Sequence, residues 1–154
     1  MSLTLQPPQT VATIPGRRTA RWVLAGYWLL LVCGTHWPKD HMPGESRYMP
    51  ADKRLHFMAY GVLAALLTFV IVSRPSERSP FTSTLREILT CAALAVGIAV
   101  AFGLVDEATQ PWTGRFFEWA DWRADILGAT LGASVVGAAI ALRTRKRRIV
   151  PEPA

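Results

Sequence analysis

Four mainly apolar runs, at about 21–37, 55–73, 87–105 and 125–142, divide this 154-residue chain. A helix rises about 1.5 Å per residue, so about 20 residues cross the ~30 Å hydrocarbon layer of a bilayer. Each run approaches that length, and the first is the shortest. Inside a bilayer no water satisfies backbone N–H and C=O groups, so each run must close its own hydrogen bonds as a helix. The expected fold is therefore all-α: a polytopic membrane protein built as a bundle of four transmembrane helices. A 51% apolar composition is too rich for an ordinary soluble domain and agrees with this. One domain over 21–142 is expected, between an N-terminal tail at 1–20 and a basic C-terminal tail at 143–154. Residues 1–16 hold three prolines, three threonines and no charge, which suits a disordered segment.

The first run, preceded by Arg17, Arg18 and Arg21, has the outline of a signal peptide. No A-x-A cleavage site follows it, and Val32 precedes Cys33 where a lipoprotein site wants a small residue. An uncleaved span is the expectation. Cys33 and Cys91 each sit in an apolar run, and neither has metal-type Cys/His spacing. Free thiols packed in the membrane are expected.

Charge sets the orientation. Arg17, Arg18, Arg21, Arg74, Arg78, Arg86, Arg143, Arg145, Lys146, Arg147 and Arg148 fall on one side of a four-span arrangement. Lys39, Arg47, Lys53, Arg54, Arg115 and Arg123 fall on the other. Cytoplasmic loops carry the Lys/Arg excess, so both termini are expected inside the bacterial cytoplasmic membrane. The run Arg143–Arg148 then reads as a topology anchor. It carries no fold motif for nucleic acid, and none is expected as a partner.

The acids divide the opposite way. Eight of the 11 Asp and Glu lie in two stretches expected outside. Charge at the end of a membrane helix is costly unless it is paired, wet or functional. Asp52 and His56 are four residues apart where the second span begins, so they share a helix face. A cap beside an interfacial histidine is one reading; a carboxylate orienting a histidine is the other. Glu107 and Gln110 close the third span, and Pro111 stops its helix. Asp106 and Glu107 oppose the dipole at that helix end, so a compensating cation is expected, and Arg115 is nearest. Asp121 and Asp125 open the fourth span, again four apart. Asp121 suits a helix cap. Asp125 lies one turn deeper, so it should face the bundle and find a partner in His56 or Arg115. Together these residues predict a shared polar pocket at the outer face, with Lys53 at its edge. Trp112, Phe116, Phe117, Trp119 and Trp122 fit an interfacial aromatic belt.

Small residues give the helices close approaches. Gly128-x-x-x-Gly132 is the sharpest case, with Gly61-x-x-x-Ala65 and Ala93-x-x-x-Gly97-x-x-x-Ala101 looser ones. Packing within the bundle is the first reading of Gly128 and Gly132, and a homo-oligomer is the other.

Several of these elements occur in a fixed order. Asp52-Lys53-x-x-His56-Phe57 comes first, then Glu107-x-x-Gln110, then Gly114-Arg115. Asp121-x-x-Ala124-Asp125-x-x-Gly128-x-x-x-Gly132 follows. In that order, at those helix ends, the chain resembles the VanZ-like family of bacterial integral membrane proteins over about 50–137. The resemblance implies a multi-pass cell-envelope protein linked to low-level resistance to the glycopeptide teicoplanin. It implies no particular reaction. Many relatives carry Asn where Asp125 stands, which implies a hydrogen-bonding role there rather than an obligate proton carrier.

Four functions compete. An envelope accessory protein would hold a lipid-linked cell-wall precursor or glycolipid headgroup, with Arg115 and Lys53 meeting anionic groups. A membrane-surface enzyme would use His56 as base, oriented by Asp52, with Glu107 as acid or base, or would hold a metal through His56, Glu107 and Asp125. No serine or cysteine nucleophile accompanies the cluster and no firm metal site is readable, so catalytic residues stay unassigned and no cofactor is expected. A transporter would want ionisable groups at mid-membrane, where the sequence has none. A purely structural assembly factor is the fourth. The binding reading is preferred, with the lipid bilayer as the first partner.

Overall fold

The computed structural model describes residues 17–37, 50–73 and 83–149. Among them the chain is helical without strands: α1 Arg17–Thr35, α2 Pro50–Val72, α3 Leu85–Thr109 and α4 Trp119–Ile149, with a 3-10 turn over Gln110–Thr113. Three stretches, Lys53–Val72, Leu85–Thr113 and Trp119–Lys146, are long and apolar enough to cross a membrane. α1 falls short of the expectation on composition. Its 19 residues begin with Arg17, Arg18 and Arg21, so its uninterrupted uncharged part is only about four turns long.

Local chemistry sets the helix limits. Thr84 caps α3 reciprocally: its hydroxyl accepts from the Glu87 N–H, and the Glu87 carboxylate accepts from the Thr84 N–H. At the other end Pro111 cannot continue the α-helical ladder, and the chain tightens into the 3-10 turn. Gly114 then reverses the path with φ 75°, a left-handed conformation that glycine adopts without cost. α4 is longer than the fourth run suggested, starting at Trp119 and running through the basic segment to Ile149. Its 31 residues span about 46 Å, so part of it extends beyond ~30 Å of hydrocarbon.

α2 is the central helix. Tyr60, Leu63, Ala64, Leu67 and Ile71 line its buried side, against Ala95 and Ala99 of α3 and Ala129 and Ala133 of α4. α2 and α4 run parallel in direct backbone contact. A Cβ at Gly128 would collide with the Phe57 carbonyl, and one at Gly132 with the Gly61 carbonyl. That is the small-xxx-small contact of a membrane bundle. α3 runs antiparallel to both. α1 lies on α2, where the Tyr27 hydroxyl donates to the Ala59 carbonyl at 2.8 Å. The Trp28 ring also meets Phe102 edge-to-face, with centroids 5.2 Å apart.

The outward surface is apolar on every helix. Trp22, Leu29 and Leu30 of α1, Leu55, Met58, Val62 and Phe69 of α2, Leu89, Leu94 and Leu104 of α3, and Leu127, Leu131 and Val135 of α4 are exposed. Contiguous exposure of this extent is what a lipid-facing surface presents. The polar residues divide between the two ends. Arg18 and Arg21 of α1, Arg86 of α3 and Arg143, Arg145 and Lys146 of α4 share one end. His56, Asp106, Glu107, Gln110, Asp121 and Asp125 are buried at the other.

Candidate functional site

The first two turns of α2 and α4 and the last turn of α3 meet at the acidic end. Parallel α2 and α4 bring His56 beside Asp125, where the Nδ1–H of His56 donates to Asp125 Oδ1 at 3.0 Å. The second ring nitrogen, Nε2, faces Glu107 Oε1 of α3 at 3.9 Å. His56 thus stands between two carboxylates from two other helices. Its side chain is 5% exposed and both carboxylates 0%. One ligand-capable atom from each of the three residues lies within 4.8 Å of the others.

Neighbours fix this arrangement. Glu107 accepts twice: Gln110 Nε2 donates to Oε1 at 3.0 Å, and the Glu118 backbone N–H donates to Oε2 at 3.0 Å. Asp125 needs space that only glycine leaves. A Cβ on Gly103 would lie 2.9 Å from Asp125 Oδ2 and 3.1 Å from the Tyr60 ring. Asp125 Oδ2 itself is buried and makes no hydrogen bond. Buried carboxylate oxygens are normally satisfied, so this one is an exception that asks for a cause.

A second network adjoins the first. Asp106 is buried, and both its oxygens accept: Oδ1 from the Thr35 hydroxyl at 2.7 Å and Oδ2 from the Tyr60 hydroxyl at 3.2 Å. His36 Nδ1 lies 3.4 Å from Asp106 Oδ1, and His36 Nε2 pairs with the Thr109 hydroxyl at 2.9 Å. Tyr60 links the two networks, since its ring lies parallel to His56 one turn away, with centroids 6.3 Å apart. α1 therefore contributes to the site through its last residues.

The rim is cationic and aromatic. Lys53 Nζ bridges Glu118 Oε2 at 3.1 Å and Asp121 Oδ1 at 3.2 Å. Arg115 Nε donates to Gln110 Oε1 at 3.3 Å, so Arg115, Gln110 and Glu107 form a chain leading inward. Trp112, Phe116 and Trp119 are exposed around this edge. Phe117, Trp119 and Trp122 pack edge-to-face in sequence, and Trp122 donates its indole N–H to the Val100 carbonyl.

The structure brings Lys53, His56, Glu107, Gln110, Arg115, Asp121 and Asp125 to one end of the bundle. The side chain of Asp52 lies outside the described residues, as do Lys39, Asp40, His41, Glu45 and Arg47 of the preceding connection. The carboxylate on His56 Nδ1 is Asp125, and His56 is one of the two partners expected for it. Asp121, expected as a simple cap, also holds Lys53. His36 follows the end of α1 and packs against α3. Sequence reasoning passed over Thr35, Tyr60 and Gly103, and left Asp106 without its partners. Tyr60 carried a usable signal, since it lies four residues beyond His56 and shares its face. Thr35 and Gly103 carried none, because their partners are far away in sequence.

No family model, curated protein or solved structure matches the chain.

Chemically the arrangement can hold a proton between histidine and carboxylate, hold a cation among three ligands, or meet a polar ligand at the rim. It has no nucleophilic hydroxyl or thiol beside His56 among the described residues.

Proposed function

We propose that the chain is a VanZ-like integral membrane protein of the bacterial cell envelope. It crosses the cytoplasmic membrane four times with both termini in the cytoplasm, α1 completing the bundle. Its acidic end is an extracytoplasmic site for the polar headgroup of a lipid-linked cell-wall precursor or glycolipid. One observation carries this reading: His56, Glu107, Gln110 and Asp125, from three helix ends, converge in a buried cluster beneath Lys53 and Arg115. Groups this costly to bury are normally kept at membrane depth for a function. An anionic headgroup would compete with Glu118 and Asp121 for Lys53 and draw on Arg115, whose planar fork suits phosphate and carboxylate. The exposed tryptophans at the rim would lie among the headgroups. Low-level tolerance to teicoplanin, which acts on precursors at this face, follows as the expected phenotype. The order of motifs from Asp52 to Gly132 supports the family reading.

The test is teicoplanin susceptibility of cells that depend on this protein. Arg115→Ala, inserted at normal level, should lose the tolerance that the wild type confers. Unchanged tolerance would count against the proposal.

The His56–Asp125 contact favours a second reading, a membrane-surface enzyme in which Asp125 orients His56 for proton transfer toward Glu107. Its signature is turnover: a retained lipid would be chemically altered by the wild type and left unaltered by His56→Gln.

A further inference from the structure

We infer that His56, Glu107 and Asp125 form a binding site for one divalent cation of the zinc or manganese class. The inference concerns the cluster itself and stands whether or not the headgroup reading holds. Four observations carry it. The three residues come from three helices, yet offer ligand atoms within 4.8 Å of one another. All three side chains are at least nine-tenths buried. Asp125 Oδ2 has no hydrogen-bond partner in this buried setting. Glu107 is held from behind by Gln110 Nε2 and the Glu118 N–H, which is how outer-shell groups orient metal ligands.

Charge balance points the same way. A neutral imidazole with two carboxylates carries two negative charges in a site without exposed surface. Isolated buried charge is costly, and a divalent cation cancels this one in full. Protonating His56 would cancel only half. One imidazole nitrogen with two carboxylate oxygens is a mixed donor set. Imidazole suits zinc and the later transition metals; carboxylate suits manganese and magnesium. Magnesium holds its water tightly and dehydrates reluctantly, so this buried, nitrogen-containing set favours zinc or manganese. The cation takes one ring nitrogen of His56 and an oxygen from each carboxylate.

The experiment uses the full chain purified in detergent and stripped with EDTA. Zn²⁺ and Mn²⁺ are titrated by calorimetry, bound metal is counted by mass spectrometry, and thermal stability is followed by tryptophan fluorescence. The expected result is one cation per chain and a higher melting temperature on binding. His56→Gln and Asp125→Asn should each weaken binding at least tenfold and abolish the thermal shift. Glu87→Gln, at the opposite end of the bundle, should bind as the wild type does. The wild-type stoichiometry decides the matter even if a variant folds poorly. No saturable binding of either ion to the wild type would overturn the inference. So would equal binding by folded His56→Gln and Asp125→Asn, which would leave the cluster as an ion-paired histidine alone.

Discussion

Asp125 accepts a 3.0 Å hydrogen bond from His56, and this contact ties α4 to α2 at the level where α3 ends. The two residues are 69 positions apart, and both are buried. Two glycine contacts make the meeting possible. Gly128 lies on the Phe57 backbone and Gly132 on that of Gly61, so the helices approach closely enough for short side chains to touch.

The first prediction concerns that approach. Gly132→Ala and Gly128→Ala should each destabilise the protein by about 1–3 kcal/mol or more, because each Cβ meets backbone that cannot rotate away. Gly97→Ala on α3 is the control. Nothing lies within 4 Å of its added methyl, so the change should be neutral or stabilising by up to about 1 kcal/mol. Thermal unfolding in a single detergent measures both. Equal effects at all three positions would remove the α2–α4 contact from the account.

Gly103→Ala separates space from packing on α3 itself. The new methyl presses on Asp125 Oδ2 and on the Tyr60 ring, so one must move. The expected result is a lower melting temperature than Gly97→Ala, together with a changed imidazole signal for His56 in NMR. An unperturbed His56 signal would show that Asp125 sits elsewhere.

Asp106 is satisfied by two hydroxyls from different helices. Tyr60→Phe removes one donor from a buried carboxylate and should cost about 1–3 kcal/mol. Thr35→Val removes the other and should cost a similar amount. If α1 were not docked on α3, Thr35→Val would leave the unfolding temperature where it was.

Much of this was legible in the chain. Run length and backbone hydrogen bonding lead directly to helices, and α2, α3 and α4 contain the second, third and fourth apolar runs. The motifs around His56, Glu107 and Asp125 mark helix ends, and two coaligned ends plus one opposed end are enough to bring them together. Depth was the useful clue for Asp125: a carboxylate one turn inside an apolar run must find a partner. Pairings between helices were harder. Asp52 and His56 share a helix face by spacing, but spacing along one helix says nothing of what another helix supplies. The Asp106 partners depend on the docking of α1, whose three arginines also make it the least certain span to read from hydropathy. Local rules for Asp121 named a cap, and the bridge through Lys53 arises only once α2 and α4 are parallel neighbours.

Orientation gives a further prediction. In a background with Cys33→Ser and Cys91→Ser, Thr113→Cys should react with a membrane-impermeant maleimide on intact cells. Arg145→Cys should react only after permeabilisation. The reverse pattern would turn the bundle over and place the acidic end in the cytoplasm.

Lys53 separates a binding role from a structural one. Its pairs with Glu118 and Asp121 are about one-third exposed on the lysine side, so they should contribute no more than about 1 kcal/mol. Lys53→Ala should therefore unfold near the wild-type temperature while retaining less anionic lipid on purification. A large loss of stability with unchanged lipid retention would make Lys53 a structural residue.

The most direct measurement of the central claim is native mass spectrometry of the chain released from its own membranes. The wild type should retain a headgroup-bearing envelope lipid through purification. Arg115→Ala removes the planar cation that would meet the headgroup at the rim, and should lose most of that lipid while unfolding at a similar temperature. Lipid retained equally by both proteins, or absent from the wild type, would contradict the assignment of this buried cluster as a ligand site.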